Sequence, residues 1–477
     1  PRDPNRQDEL SHVEQAVQAV EEICRTSREG DLLVFMPTEA DIRETCEGIE
    51  SLGLPSTTVL PLFARLTSGA QRKIFASFPG RKVVVATNVA ETSITIPGIV
   101  YVVDTGLARI SNYSPASRTT SLPVSPVSRS SADQRKGRAG RVRPGVCIRL
   151  YTEEDYLSRE EYTKPEILRD NLADVILRMV SLRLGAVEDF PFIDKPSTRH
   201  LADGIGILRE LGAVEKGKNG ELKLTGHGRL MARLPLDPRF SRMLIEAAEQ
   251  GVLRDAAVVV SVLTIQDPRD RPQGEEGKAD AAHEKFRDSE SDFVTLLNIW
   301  EEYHSVWRRT RSQGKMRKYC TQNYLSYRRM KEWRDIHLQV TSLLKEQGYT
   351  IRPPVASKKP ERKGEASPWY TALHISILSG LLSNIAEKRE KNFYTATRNR
   401  EAMLFPGSGL FGEGPKWIVA AEMVRTSRLF ARTCAAVDPS WLERIASGLC
   451  SYSYHGAVWS ADRMEVSATE QVRLYGL

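Results

Sequence analysis

The chain has 477 residues, of which 40% are hydrophobic and 27% charged, and its formal net charge at pH 7 is +7. This length predicts about three or four domains, and the basic balance is compatible with a polyanionic partner. No apolar run reaches the roughly 20 residues of a membrane span, residues 1–12 contain no apolar segment of the kind found in signal peptides, and the six cysteines form no closely spaced pair. We therefore expect a cytoplasmic protein without a signal peptide, a membrane contact, a disulfide framework or a metal site.

The first part of the chain alternates strand-like and helix-like segments. A helical pattern at 12–24 precedes the first apolar run. Nearly continuous hydrophobicity is typical of parallel strands that are buried on both faces. The segments predicted to be such strands are 31–37, 57–63, 82–88, 98–106 and 145–151. Together they predict an α/β fold with a parallel sheet.

The pattern changes after about residue 165. Residues 165–233 follow the order helix, turn, short hairpin and helix, which predicts a winged helix. Residues 234–350 are rich in helices with regularly spaced apolar positions. Within 351–477, a loop-like segment and a helix precede short β-like runs separated by glycine and proline, which predict a small barrel. The final residues are typical of an unfinished strand, so we expect the sequence to be a piece of a longer protein.

The stretch QRKGRAGR, residues 134–141, places two glycines among four cations. A capping-box pattern before it predicts a helix that begins near Ala132. In such a helix Gln134, Arg138 and Arg141 share one face. Each glycine in a helix costs about 1 kcal/mol relative to alanine, so we expect another backbone or a ligand to come close. Two guanidiniums on one face suit phosphate; a solvated charged face is the alternative.

These residues resemble motif VI of DEAH-box RNA helicases, a branch of superfamily 2. Motif V of that family is similar to residues 83–106, VVVATNVAETSITIPGIVYVVDTG, and motif IV to residues 32–42, LLVFMPTEADI. The family's helical ratchet domain is similar to residues 291–300, SDFVTLLNIW, and its OB-fold to the stretch FPGSGLF at 405–411. Within this family, the residues of these segments are most similar to the bacterial HrpA-like branch.

The resemblance implies an α/β multidomain architecture, in which the parts are a second RecA-like lobe (1–164), a winged helix (165–233), a helical ratchet bundle (234–350) and an OB-fold barrel (351–477). It also implies an ATP-dependent RNA helicase or translocase that moves 3′ to 5′ on single-stranded RNA and uses ATP and Mg²⁺. A monomer is expected, and a ribosome- or mRNA-linked substrate is left open.

The motifs that bind nucleotide phosphates in this family are missing from the sequence. No G-K-[ST] occurs, because the three Gly-Lys pairs are followed by Asn219, Ala279 and Met316, and no DExH occurs either. The family's first lobe holds the phosphate loop and the magnesium ligand, so we expect that lobe to lie outside this chain. By itself the chain is expected to bind RNA and to supply arginine fingers, but not to hydrolyse ATP.

The resemblance assigns individual roles. The residues implied at the γ-phosphate are Gln134, Arg138 and Arg141, and those implied elsewhere at the nucleotide are Phe75, Glu91, Ser93 and Thr95. Phe75 would stack on adenine, with a core phenylalanine as the alternative. At Pro97 the sequence departs from relatives that carry Asp, which leaves nucleotide selectivity open. The residues implied in RNA binding are Thr87, Asn88, Arg109, Arg118, Arg129, Asn323, Arg328, Ser408 and Lys416.

Seven of the nine RNA assignments have a structural alternative. Thr87 and Asn88 fit an ordinary turn, Arg109, Arg118 and Arg129 fit a solvated loop in place of the family's β-hairpin wedge, and the segment around Asn323 and Arg328 fits an amphipathic helix with buried tyrosines. The rival function is a nucleotide-independent RNA-binding adaptor on a helicase-like scaffold, and a DNA helicase is a lesser variant.

Overall fold

The computed structural model describes residues 10–477 apart from 65, 67, 93, 142, 219, 273, 355–356, 360–364, 413, 427 and 461–463. The chain divides into two compact units, one formed by Pro1–Asn112 with Leu122–Arg169 and the other by Tyr113–Ser121 with Asp170–Leu477. The division into four domains remains a prediction.

The regular elements are numbered in chain order. The helices are α1 (His12–Thr26), α2 (Glu39–Ser51), α3 (Ser68–Lys73), α4 (Arg129–Lys136), α5 (Glu153–Ser158), α6 (Ala173–Ser181), α7 (Thr198–Glu210), α8 (Gly226–Met231), α9 (Pro238–Glu249), α10 (Leu253–Leu263), α11 (Glu276–Glu284), α12 (Asp292–Thr310), α13 (Gln313–Gln322), α14 (Tyr327–Glu346), α15 (Pro368–Leu381) and α16 (Ser440–Ala446). The strands are β1 (Asp31–Phe35), β2 (Thr57–Leu62), β3 (Arg81–Ala86), β4 (Ile99–Asp104), β5 (Leu107–Arg109), β6 (Asn112–Ser114), β7 (Thr119–Ser121), β8 (Val124–Pro126), β9 (Val146–Arg149), β10 (Val214–Lys216), β11 (Leu222–Leu224), β12 (Ile385–Glu390), β13 (Phe393–Ala396), β14 (Arg400–Leu404), β15 (Trp417–Arg425), β16 (Leu429–Ala436), β17 (Ser451–Ser460) and β18 (Glu465–Arg473).

The first unit is built on a five-stranded sheet in the order β2-β3-β1-β4-β9. All of its strand pairs are parallel, as predicted. Alternate residues of β1 enter two different apolar cores: Leu32 and Val34 pack with α1 and α2, and Leu33 and Phe35 pack with residues that precede and follow β3. Because both faces are covered, the strands are apolar at almost every position.

After its first segment, Tyr113–Ser121, the second unit continues with α6, α7, the antiparallel pair β10–β11 and α8, which is the predicted winged-helix order. The helices from α9 to α15 follow. One apolar core runs through them and onto the outside of the strands that come next, and its members include Met243, Val258, Phe293, Trp333 and Val419. The predicted helical bundle is therefore confirmed.

A closed five-stranded barrel lies in the second unit. Its strands follow the order β12-β13-β14-β16-β15, and pairing of β12 with β15 closes it. Its interior is apolar and includes Tyr394, Leu404 and Ile418. The predicted barrel is confirmed. Strand β7, which belongs to this unit, extends the barrel sheet by pairing in parallel with β15, so that Thr120 lies opposite Val424.

None of the helices in the described residues is both long and apolar enough to cross a bilayer. No cluster of three or more His, Cys, Asp or Glu side chains in the described part of the chain is arranged to hold a metal ion.

Candidate nucleotide and nucleic-acid site

The helix before the cationic stretch begins earlier than predicted. α4 starts at Arg129, and the Ser128 hydroxyl caps it by accepting a hydrogen bond from the Ser131 amide at 3.2 Å. The helix ends at Lys136, so Arg138 and Arg141 follow it in a turn. The prediction that one helical face carries both arginines was wrong, because the glycine after Lys136 caps the helix instead of continuing it.

Both arginines nevertheless point to one segment. Arg138 donates from Nη1 to the Ile94 carbonyl at 3.2 Å and from Nη2 to the Glu91 carbonyl. Arg141 donates from Nη1 to the Thr95 hydroxyl. Burial lowers the pKa of the Arg138 guanidinium, and the neighbouring charge of Arg141 lowers it further. Two cations are thus held together over residues 91–95, where an anion would relieve their repulsion.

The glycines of the stretch do not make room for a second backbone. A Cβ on Gly140 would meet nothing within 4 Å among the described residues, and one on Gly137 would meet only carbonyl oxygens of its own helix at 3.3 and 3.4 Å. Close approach occurs at Gly145, where a Cβ would lie 2.3 Å from the Ala139 carbonyl oxygen and 2.5 Å from that of Val100. A ligand beside Gly137 and Gly140 remains a prediction. Gln134 is exposed on α4.

Sequence reasoning missed Arg135, whose side chain is only 1% exposed. It donates from Nε to Glu91 Oε2 at 3.0 Å and from Nη1 to Asp104 Oδ1 at 2.8 Å. Its guanidinium carbon lies 4.8 Å from the centre of the Phe35 ring. One signal was available, because Arg135 is three residues beyond Ala132, which is buried on the inner face of α4.

Glu91 joins motif V to motif VI inside this unit. Its carboxylate accepts hydrogen bonds from the Ser131 hydroxyl and from Arg135, and its carbonyl accepts one from Arg138. The carboxylate is therefore engaged with protein groups, and direct contact with a nucleotide remains a prediction.

The other nucleotide candidates differ in accessibility. Phe75 follows α3 and is 49% exposed, which is not the placement of a core phenylalanine. Thr95 is exposed and contacts Arg141. Ser93 lies outside the described residues.

The motif V residues proposed for RNA lie at the carboxyl end of β3. The Thr87 amide donates to the Leu62 carbonyl at 3.2 Å, and its side chain is half-buried. Asn88 is exposed at the start of a short 3₁₀ helix, Asn88–Ala90. Both positions can be reached from solvent, as a phosphate contact requires.

The three arginines of the predicted β-hairpin have different surroundings. β5 and β8 pair antiparallel as the hairpin base, and Arg109 is exposed on β5. Arg129 is half-buried, with its guanidinium 3.9 Å from Glu161. The Arg118 side chain is 11% exposed and pairs with Asp203 at 2.8 Å and Glu210 at 2.5 Å. Its guanidinium is thus paired with two carboxylates. Arg118 is therefore neither a solvated loop residue nor a cation that is free to bind phosphate.

The four candidates in the ratchet and barrel regions also separate into two kinds. Asn323 is buried and caps α13 by donating from Nδ2 to the Tyr319 carbonyl at 2.7 Å. Ser408 is buried and donates to Asp292 Oδ2 at 2.7 Å. Arg328 is exposed on α14, and Lys416 is exposed before β15, with its ammonium 3.8 Å from Glu387. Only Arg328 and Lys416 of these four present a charge to solvent.

Family models match three parts of the chain. A helicase conserved C-terminal domain matches residues 15–143, a ratchet-like helicase associated domain (HA2) matches 237–296, and an oligonucleotide/oligosaccharide-binding (OB) fold matches 373–449. The ATP-dependent RNA helicase HrpA of Escherichia coli K12 is 45% identical over 477 residues, which is 100% of this chain. Over its whole length the chain is similar to bacterial DEAH-box helicases of the HrpA-like branch.

Further relatives agree with this assignment to an HrpA-like branch. The HrpA homolog of Haemophilus influenzae is 44% identical over 99% of the chain, and the pre-mRNA-splicing factor ATP-dependent RNA helicase prp22 of Schizosaccharomyces pombe is 33% identical over 92%. The chain spans 35% of each HrpA relative and 37% of prp22. The crystal structure of the E. coli DExH-box NTPase HrpB has the same fold, with a TM-score of 0.69 and 24% identity over 99% of this chain and 50% of that one.

Proposed function

We propose that this chain is part of an ATP-dependent RNA helicase or translocase that moves 3′ to 5′ along single-stranded RNA. The observation that carries the proposal is the convergence of Arg138 and Arg141 on residues 91–95. That segment begins three residues after Asn88, which together with Thr87 is a candidate phosphate ligand for RNA. Nucleotide and RNA candidates therefore lie on one short stretch of backbone, between two strands of the same sheet.

The residues of this chain fit the polyphosphate of a nucleotide. Arg138 and Arg141 would stabilise the charge that develops on the transferred γ-phosphoryl group, and Gln134 would act beside them. Mg²⁺, when bound, neutralises charge on the β- and γ-phosphate oxygens. Since the sequence holds no G-K-[ST] and no DExH, we assign the magnesium ligand and the phosphate loop to the rest of a longer polypeptide, and expect this chain alone not to hydrolyse ATP.

The accessible cations would bind the RNA backbone with little selection among bases. They are Arg109 and Arg129 in the first unit and Arg328 and Lys416 in the second, in addition to the polar pair Thr87 and Asn88. Arg118, Asn323 and Ser408 are left out of this set because their polar groups are committed to protein partners. We further propose a monomer that works in the cytoplasm on ribosome- or mRNA-linked RNA.

A second function is a nucleotide-independent RNA-binding adaptor. The missing G-K-[ST] favours it. The placement of two guanidiniums over one segment argues against the adaptor. The two like charges repel each other, and a bound anion would offset that repulsion.

The decisive experiment replaces Arg138 with Ala in the full-length protein. We expect RNA-stimulated ATP hydrolysis to fall by about 10³-fold or more, the usual contribution of an arginine finger, while RNA affinity is retained. Arg143→Ala is the matched control, because Arg143 is exposed two residues beyond Arg141 and lies 3.6 Å from Glu29. Wild-type hydrolysis in the Arg138→Ala protein would refute the finger role, and a wild-type protein that binds RNA without hydrolysing ATP would establish the adaptor.

A further inference from the structure

A buried lysine holds together the two backbone segments at the end of the candidate nucleotide site that carries Phe75. Lys82 is the second residue of β3 and is 4% exposed. Its ammonium donates to the carbonyl oxygen of Ile74 at 2.9 Å and to that of Pro97 at 3.4 Å. Ile74 directly precedes Phe75, so a single ammonium ties the Phe75 turn to the segment that ends at Pro97.

The counter-charge of Lys82 comes from the first residue of β1. Asp31 Oδ2 lies 3.5 Å from the ammonium, and Asp31 Oδ1 accepts a hydrogen bond from the Lys82 amide at 2.9 Å. Gly98 makes room for this carboxylate: its φ is +85°, and a Cβ there would lie 2.5 Å from Asp31 Oδ2. Burial of a charge is expensive unless it is paired and hydrogen-bonded. Among the described residues, the ammonium is paired with Asp31 and hydrogen-bonded to the two segments that it joins.

The segment from Glu91 to Pro97 is thus held at both ends by cations. Arg138 and Arg141 bind it at residues 91–95, and Lys82 binds it at Pro97. Phe75 is 49% exposed and directly follows Ile74, whose carbonyl is the other one that Lys82 binds. A nucleotide whose γ-phosphate meets the two arginines would extend its base toward this end.

We infer that Lys82 is a positioning residue for the base of the nucleotide, acting through the Phe75 turn and the Pro97 backbone. The inference rests on the proposed function. Pro97 offers no side-chain hydrogen bond, so the base would be held by stacking on Phe75 and by the shape of the backbone, both of which depend on the spacing that Lys82 sets. Loss of Lys82 should therefore weaken binding of the base while the phosphate end stays intact.

The test is a Lys82→Met variant of the full-length protein, with Arg81→Met as its matched control. Arg81 is the neighbouring buried cation of β3, but its guanidinium binds the carbonyls of Ile23 and Glu29 and the Ser27 hydroxyl, away from Phe75 and Pro97. We expect Lys82→Met to raise KM for ATP about tenfold with kcat nearly unchanged, the signature of lost ground-state binding. Inhibition by inorganic tripolyphosphate, which has no base, should match wild type, and Arg81→Met should leave both quantities unchanged.

A double mutant separates positioning from general loosening. In a Phe75→Ala background the Lys82→Met change should raise KM by less than it does in the wild-type background, because the stacking surface that Lys82 positions is already gone. If Lys82→Met does not fold, Asp31→Asn provides the test instead. This change removes only the counter-charge of Lys82 and should also raise KM for ATP.

The outcomes are distinguishable. Two results would overturn the role of Lys82 and leave the proposed function standing, provided that the wild-type protein hydrolyses ATP. One is the same KM in Lys82→Met and Arg81→Met, and the other is additive effects of Lys82→Met and Phe75→Ala on KM. A wild-type protein that neither binds nor hydrolyses ATP overturns the proposed function itself.

Discussion

Arg135 and Asp104 form an ion pair that is shielded from solvent, with Nη1 and Oδ1 2.8 Å apart and side chains that are 1% and 0% exposed. Asp104 ends β4, and Arg135 lies in the last turn of α4. The same carboxylate accepts hydrogen bonds from the Gly106 amide and the Tyr151 hydroxyl. The pair therefore fixes the helix that leads into Arg138 and Arg141 against the sheet.

Arg135→Ala should destabilise the protein by about 3–5 kcal/mol, because it leaves two carboxylates, Asp104 and Glu91, without their buried cation. Urea denaturation followed by circular dichroism measures the change. Arg25→Ala is the control: Arg25 pairs with Glu21 on the surface of α1 at 2.7 Å, and an exposed pair contributes about 0–1 kcal/mol. Equal losses in the two variants would contradict a special role for the buried pair.

Arg118→Ala should loosen the segment 113–121 without changing how RNA affinity depends on salt. Asp203 accepts hydrogen bonds from both Arg118 and the Tyr113 hydroxyl, at 2.8 and 2.7 Å. Removal of the arginine leaves the carboxylates of Asp203 and Glu210 at buried positions without the cation that neutralises them, which costs several kcal/mol. Hydrogen exchange of amides 113–121 should accelerate. A drop in the salt slope of RNA binding would restore Arg118 to the RNA-binding set.

Lys416→Ala should weaken RNA binding and reduce the slope of log affinity against log salt by about 0.7, the value for one phosphate contact on a single strand. Ser408→Ala is the matched variant from the same part of the barrel sequence. The Ser408 hydroxyl donates to the buried Asp292, so its removal should cost about 1–3 kcal/mol of stability and leave the salt slope unchanged. Titrations of one RNA oligonucleotide at several salt concentrations measure the slope in each variant. A slope that falls in Ser408→Ala and not in Lys416→Ala would mean that Ser408 contacts the RNA.

His374 should make the protein sensitive to acid. Its Nδ1 donates to the Tyr370 carbonyl at 2.7 Å, and its Nε2 lies 2.8 Å from the Ser291 hydroxyl. Burial lowers the pKa of His374 to about 4, so between pH 6.5 and 4 the unfolded chain binds a proton that the folded chain does not. The free energy of unfolding should fall as the pH is lowered through this window and level off below it.

His374→Gln should flatten that pH dependence by the contribution of one histidine. Burial also lowers the pKa of His337 to about 4, so part of the slope should remain in the single variant. Urea unfolding between pH 4 and 7 gives the slopes. An unchanged slope in His374→Gln would mean that His374 is protonated in the folded protein.

Much of the fold could be predicted from hydrophobic periodicity and composition. The five strands of the first unit, the winged-helix order, the helical stretch and the barrel were all predicted, because runs that are apolar at every position or at helical spacing report directly on burial. The motif resemblance likewise led to the helicase family. These signals are local, and each can be evaluated without knowing which segments meet.

Tertiary structure decided what each charged side chain does. QRKGRAGR shows four similar cations, but one of them, Arg135, is buried on two carboxylates, whereas Arg138 and Arg141 bind the segment 91–95. The resemblance predicted Arg118 as a phosphate ligand, but the fold brings Asp203 and Glu210 to its guanidinium from 85 and 92 residues away in sequence. The sequence places Lys82 only at the start of a predicted strand, and the packing of Ile74, Pro97 and Asp31 around it determines what its ammonium binds. A sequence displays the charge of a side chain, but its partner is set by long-range packing, and in a low-dielectric interior the partner determines whether that charge supports the fold or remains free to meet a ligand.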